Sequence, residues 1–168
     1  STLFPYTTLF RSTNRFTFSK TARHFAGELT DDLDKKWLYA ACLLRPRISR
    51  YSEIPAQIAF FRTLPAYDND LFLNKRNKVT KELAEQVLTA AVTELGKIPD
   101  WTPYALDSTL EGIAANHQLK TGAVMWPLRI ALSGQKVTPG GVTEILYLLG
   151  GEESIKRLEK GLAKLKDL

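Results

Sequence analysis

Apolar residues recur every three to four positions along most of this chain, which is the spacing of one buried helix face. The clearest case runs from Thr80 to Leu95, where the threonine can cap the start and Gly96 follows the end. A further helix is predicted from Thr102 to about Ala115, and a last one from Glu152 to Leu165. The second half of the chain is therefore predicted to be helical.

Shorter helices are predicted in the first half. One should run from Thr30 to Arg45, where Pro46 ends it, and another from Ser52 to Leu64. Residues 13–29 show no clean period, and residues 65–78 should form an irregular connector. We expect an all-α bundle of about seven helices in two packed helical subdomains, residues 13–66 and 79–168.

Composition and cysteine content place the chain in a broad class. Hydrophobic residues make up 44% and charged residues 24%, as in soluble globular proteins. No apolar run approaches the roughly 20 residues of a membrane span. The single cysteine, Cys42, cannot form an internal disulfide, and it should be buried beside Leu43 and Leu44. We expect a cytoplasmic protein without a membrane partner.

Charge is unevenly distributed along the chain. Residues 13–78 hold 12 lysines and arginines against 7 acidic residues, whereas residues 79–168 hold 10 against 11. A basic half beside a neutral half suggests a polyanion contact on one side, although on charge alone an ordinary solvated surface is the favoured interpretation.

The first twelve residues are unusual. Residues 2–12, TLFPYTTLFRS, correspond codon by codon to a sequencing-adapter oligonucleotide in common use. We therefore interpret residues 1–12 as an adapter artefact, which hides the true N-terminus. Resequencing the locus from a clean library should lose this peptide, and finding it in the genome would refute the idea.

Residue types give no catalytic or metal site. The two histidines are far apart, GGEES lacks the lysine of a phosphate-binding loop, and no glycine-rich dinucleotide motif occurs. The sequence therefore predicts a binding module with no cofactor of its own.

The stretch from Gly122 to Gly150 is predicted to form two short helices joined by the turn SGQKVTPGG. Trp126, Pro127 and Arg129 should begin the first of these helices, where a proline lacks only an amide that would be unpaired anyway. Thr138, Pro139 and Gly140 should open the second. An arginine beside a tryptophan can hold a base and a phosphate.

The run PLRIALSG, then TPGG and EILYLLGGEE, resembles the C-terminal end of bacterial glutamyl-tRNA synthetases. The segment LPAYD with its following basic tract also resembles the region that joins the two helical parts in clostridial-type members. The resemblance covers roughly Leu44 to the C-terminus and implies a helical anticodon-binding region of a glutamate–tRNA ligase. The ATP and Mg²⁺ of the parent enzyme belong to an upstream domain whose signature motifs are absent here, so this fragment should not aminoacylate.

The resemblance also implies contact residues. Trp126, Arg129, Thr138, Pro139 and Gly141 fall on positions that touch the anticodon in the family, with backbone groups of Thr138–Gly141, including Gly140, facing base edges. The expected partner is glutamate tRNA bound by a monomer.

Two arginines of the first half, Arg45 and Arg47, are candidates for reading the third anticodon base. If neither does so, glutamine tRNA would also be accepted. The sequence leaves open whether Trp126 is instead a core aromatic residue.

Two other functions remain open from sequence alone. One is the related anticodon module of class I lysyl-tRNA synthetase, and the other is a non-catalytic helical protein-interaction domain.

Overall fold

The computed structural model describes residues 13–168, and the adapter-like residues 1–12 lie outside this range. Its contacts divide the chain into one unit that ends at Thr63 and a second unit from Leu64 to Leu168. The first unit contains α1 (Arg15–Phe25), α2 (Asp31–Lys35), α3 (Trp37–Leu44) and α4 (Ile54–Arg62). The second contains α5 (Lys81–Leu95), α6 (Pro103–Asn116), α7 (Thr121–Ser133), α8 (Val142–Leu149) and α9 (Gly151–Lys166). Within the described residues the fold is all-α, as predicted.

Helix α1 was missed by the sequence pattern. Asn14 caps it by accepting from the Thr17 amide at 2.9 Å, and Phe18 and Ala22 lie buried on one face. The period is obscured because Phe16 lies off that face and is exposed, and because most other residues of the helix are polar. A single apolar residue per turn is too weak a signal when an exposed aromatic residue interrupts it.

The predicted helix from Thr30 to Arg45 is two helices. Thr30 caps α2 as expected, but Lys36 leaves the helical region with φ −107° and ψ 22°, and α3 begins at Trp37. Cys42 is exposed, contrary to expectation. Successive helix residues are about 100° apart, which turns position 42 away from the buried face of Ala41 and Leu44.

Threonine caps fix the starts of α5 and α6, as predicted. The Thr80 hydroxyl accepts from the Leu83 amide at 3.2 Å, and the Thr102 hydroxyl accepts from the Ala105 amide at 3.2 Å. The core lies mainly among α5, α7 and α9. Buried α5 residues in this core are Ala84, Val87, Leu88, Ala91 and Leu95.

Residues 65–78 form an irregular segment, as the sequence predicted, and they are anchored to the second unit. They belong to the second unit, with a 3-10 turn at Asn69–Phe72 and an antiparallel bridge between Asn74 and Val79. Phe72 is fully buried, and its ring meets that of Tyr67 edge-on at 5.8 Å between centroids. The buried aromatic side chain attaches the segment to the second unit.

Candidate nucleic-acid interface

Trp126 is half-buried in the middle of α7. Its indole Nε1 donates to the carbonyl oxygen of Leu71 in the 3-10 turn at 2.9 Å. The polar edge of the ring is therefore engaged within the protein. A nucleotide base would be met by the face of the indole, not by its N–H group.

The predicted start of this helix was wrong. Helix α7 begins at Thr121, five residues before Trp126, and Pro127 lies inside it. The proline ring has no N–H to donate to the carbonyl of Ala123, one turn earlier, so the helix tolerates one missing hydrogen bond at this point. The favourable helix residues Ala123 and Met125 extend the helix upstream of the proline.

Arg129 follows Trp126 by three residues on the same helix. Side chains at this spacing are neighbours on one helix face, with Cβ atoms about 5–6 Å apart. Both residues are half-buried, so each retains some accessible surface. The helix therefore places Trp126 and Arg129 as neighbours on one face of α7.

The end of α7 is held by its own side chains. The Ser133 hydroxyl donates to the Arg129 carbonyl at 2.6 Å and accepts from the Gln135 amide at 3.0 Å. Gly134 has φ +65° and donates to the Ile130 carbonyl at 2.7 Å. A left-handed backbone with φ near this value favours glycine. The sequence thus specifies where the helix stops and in which direction the chain leaves.

The Thr138–Gly141 turn presents backbone more than side chains. Thr138 is only 4% exposed, and its hydroxyl donates to the Gly140 carbonyl at 2.9 Å. Pro139 is also buried, and the Gly141 amide donates to Glu144 Oε2 at 3.2 Å. Val137, just before the turn, is 67% exposed and was not predicted as a site residue.

Tyr67 packs against the end of α7. A Cβ atom added to Gly134 would come within 2.9 Å of Tyr67 Cδ1 and 3.2 Å of Pro65 Cγ. Lys164 Nζ of α9 lies 4.5 Å from the centre of the tyrosine ring, a cation–π contact. Burial raises the pKa of Tyr67 to about 12.

Arg157 was missed by the sequence analysis. It is 2% exposed on α9, where its Nε donates to Glu153 Oε1 at 2.8 Å and its Nη1 donates to the Leu132 carbonyl at 2.7 Å. No signal for its burial existed in the sequence, because its neighbours on the same helix face, Ser154 and Gly161, are not large apolar residues.

Arg45 and Arg47 lie in the first unit, in a 3-10 turn after α3. Arg45 is half-buried, donates to the Thr13 carbonyl, and lies with its guanidinium carbon 5.7 Å from the centre of the Phe18 ring. Arg47 is exposed. Arg45 therefore has packing contacts of its own, whereas Arg47 is the more accessible of the two.

The part of the chain that the structure describes contains neither a metal-ligand cluster nor a membrane-spanning helix. Residues 13–168 contain no group of three or more His, Cys, Asp or Glu side chains placed to hold a metal ion. None of their helices combines the length and the apolar character that crossing a bilayer requires.

Comparisons with known proteins agree with this all-helical arrangement. A family model described as an anticodon binding domain matches residues 17–162. The glutamate–tRNA ligase of Clostridium tetani is 38% identical over 144 residues, which is 86% of this chain and 29% of that protein. The ligase of Clostridium botulinum, strain Loch Maree, is 35% identical over 86% of this chain and 30% of its own length.

A solved structure shares the fold. The glutamate tRNA ligase from Elizabethkingia meningosepticum superposes with a TM-score of 0.76 at 20% identity, over 97% of this chain and 32% of that one. The chain thus spans about a third or less of the length of these relatives.

These findings define the class of protein first: the chain belongs to the anticodon-binding domain family. More particularly, it is an anticodon-binding portion of the glutamate–tRNA ligase type, as its sequence motifs predicted. The class I lysyl alternative is not favoured, since the relatives named above are all glutamate–tRNA ligases.

Proposed function

We propose that this chain binds the anticodon loop of glutamate tRNA through Trp126, Arg129 and the Thr138–Gly141 turn. The observation that carries the proposal is an aromatic ring and a guanidinium on one face of α7, within the region matched by the anticodon-binding family model. Unpaired bases stack on aromatic rings and accept hydrogen bonds from arginine along their edges.

Each part of the surface has a distinct task in this proposal. Trp126 offers its ring face, because its N–H group is bonded to Leu71. Arg129 donates to a base edge or a phosphate. The turn acts through backbone groups around Gly140, because the Thr138 side chain is buried and bonded to the Gly140 carbonyl and the Gly141 amide is bonded to Glu144.

Arg45 and Arg47 remain our candidates for reading the third anticodon base. Arg47 is the stronger of the two, because it is exposed while Arg45 packs on Phe18 and bonds to Thr13. If neither arginine reads that base, glutamine tRNA would be bound as well. Arginine donates hydrogen bonds to acceptor atoms on a base edge, so replacing Arg47 should relax discrimination at one base only.

The names of the relatives support a proposal about the parent protein's activity. We propose that the chain is part of a cytoplasmic, monomeric glutamate–tRNA ligase, in which ATP and Mg²⁺ act in a different domain. In that arrangement this portion selects the tRNA and takes no part in forming the ester bond.

Anticodon stem-loops test the proposal directly. The full chain should bind a glutamate stem-loop more tightly than one with a lysine anticodon, and the glutamine stem-loop reports whether the third base is read. Equal affinity for all three would show that the third base is not read, because these anticodons share their first two bases. Equal affinity for a glutamate stem-loop changed at the second anticodon base would contradict anticodon recognition. An absence of RNA binding would favour the helical protein-interaction alternative.

A further inference from the structure

Arg157 is the one buried charged side chain among the described residues, and the proposed RNA contacts do not use it. Its Nη1 donates to the carbonyl of Leu132 at 2.7 Å, across from α9 to the last turn of α7. The last four carbonyls of a helix have no partner within the helix. Arg157 therefore supplies from another helix a donor that α7 cannot supply itself.

The Leu132 carbonyl that Arg157 contacts lies in the last turn of α7, just before the chain leaves the helix. Leu132 is followed by Ser133 and Gly134, which end the helix and turn the chain toward the Thr138–Gly141 segment. Ser133 in turn bonds back to the carbonyl of Arg129 at 2.6 Å. We call residues 132–135 the α7 terminus, and it joins the two groups of proposed RNA contacts.

Stability alone is a weak reason for this arrangement. Removing a guanidinium from water is costly, and buried ion pairs are often replaceable by apolar residues without loss of stability. What an apolar residue cannot do is donate in a fixed direction to the Leu132 carbonyl while also contacting Glu153. Directional bonds of this kind select one backbone conformation among several compact ones.

We propose that Arg157 is a positioning residue that fixes the α7 terminus and thereby the spacing between Arg129 and the Thr138–Gly141 turn. The inference rests on the proposed function, since its benefit is a preformed surface for the anticodon. A preformed surface loses less conformational entropy on binding and rejects a wrong base more strongly.

The test compares Arg157→Met with Lys156→Met in the full chain. Both variants remove one positive charge from α9, but Lys156 is exposed and has no assigned role. Without RNA, hydrogen-exchange rates are measured for the Gly134 and Gln135 amides. The exchange rates of the Val87 and Leu88 amides of α5 serve as the internal reference. Binding is then measured with glutamate stem-loops carrying the correct anticodon or a single base change.

In Arg157→Met we expect the Gly134 amide to exchange at least about tenfold faster relative to α5 and discrimination between stem-loops to fall about fivefold or more. Lys156→Met should leave both unchanged. If Arg157→Met does not fold, Arg157→Lys keeps the buried charge beside Glu153. A single ammonium group cannot reproduce both bonds, so the same changes should appear in reduced form.

The outcomes distinguish a failure of the inference about Arg157 from a failure of the proposed function. Unchanged exchange in a folded Arg157 variant overturns the inference, and so does faster exchange with undiminished discrimination. If the unmodified chain itself fails to distinguish the stem-loops, the proposed function fails and this role of Arg157 fails with it. Exchange would still report, in that case, whether Arg157 holds the α7 terminus.

Discussion

Single side chains in this protein have roles that their neighbours in space decide. Trp126 illustrates this, because its indole N–H is bonded to Leu71, a residue 55 positions earlier in the chain. The sequence identified the residue and left open whether it packs or binds. The structure shows a half-buried ring with its polar edge bonded inside, which is compatible with a stacking platform held in place.

Arg129→Ala tests the proposed base contact. We expect the affinity for the correct glutamate stem-loop to fall by about 1–3 kcal/mol, the range of one good base contact. The slope of affinity against salt should barely change, because a base contact releases no counterion. Filter binding at several salt concentrations measures both quantities.

Lys156→Ala is the matched control for Arg129→Ala, since it removes an exposed charge from the same unit. It should leave the preference between stem-loops unchanged. A loss of affinity for Arg129→Ala that is equal for all anticodons would indicate a phosphate contact instead.

Tyr67→Phe tests the effect of burying the hydroxyl group. Burial raises the pKa of Tyr67 from 10.0 to about 12, so the folded protein holds this proton more tightly than the unfolded chain. This contribution to stability is complete below pH 10 and is lost as pH rises toward 12. The Phe variant lacks it, and should therefore lose less stability than the parent between pH 9 and pH 11 in urea unfolding.

Near pH 7 the free energy of unfolding of the Tyr67→Phe variant should equal that of the parent or exceed it by up to about 1 kcal/mol. The reason is that the buried hydroxyl has no hydrogen-bond partner among the described residues, and removing an unsatisfied polar group is favourable. A clear loss of stability at pH 7 would show that the hydroxyl makes a bond in solution.

At the scale of elements, the packing of α9 depends on a close approach at Gly161. A Cβ atom there would lie 2.9 Å from Ala131 Cβ of α7 and 3.2 Å from Leu88 Cδ1 of α5. Three helices therefore meet where one of them has no side chain. The amphipathic pattern of α9 predicted the helix, but pattern alone could not reveal that its glycine is a contact point.

Gly161→Ala should lower the free energy of unfolding by about 1–3 kcal/mol, because the added methyl group overpacks this contact. Gly112→Ala in α6 is the matched control, since nothing lies within 4 Å of its added Cβ. There the better helix propensity of alanine should raise stability by about 0.5–1 kcal/mol. Urea unfolding of both variants checks the pair, and effects of the same sign would contradict the packing at Gly161.

At the scale of the whole molecule, the net charge differs between the two halves of the sequence. The net positive charge is carried by residues 13–78, and the Trp126 and Arg129 pair lies in α7. We expect binding of a glutamate stem-loop by the full chain to weaken about tenfold or more between 50 and 200 mM salt, as it should when about three phosphates are contacted. Filter binding measures this, and an affinity independent of salt would contradict an RNA-binding role.

The sequence by itself determined the helical class, most of the capped helix starts, and the family. Thr80 and Thr102 cap their helices through neighbours three residues away, and such local information is complete within a short window. The motif around Arg129 likewise carries its signal in adjacent residues. Helix α1, the break at Lys36 and the interior position of Pro127 escaped prediction because local propensities there are weak or conflicting.

Only the tertiary structure decided which of these side chains face inward. The Thr138 hydroxyl is bonded within its turn, Arg157 is buried against Leu132, and residues 64–78 pack within the second unit. In the last two cases the partners are distant along the chain or on another helix. Burial and bond direction depend on how such segments are brought together, and no local pattern of residues encodes that arrangement.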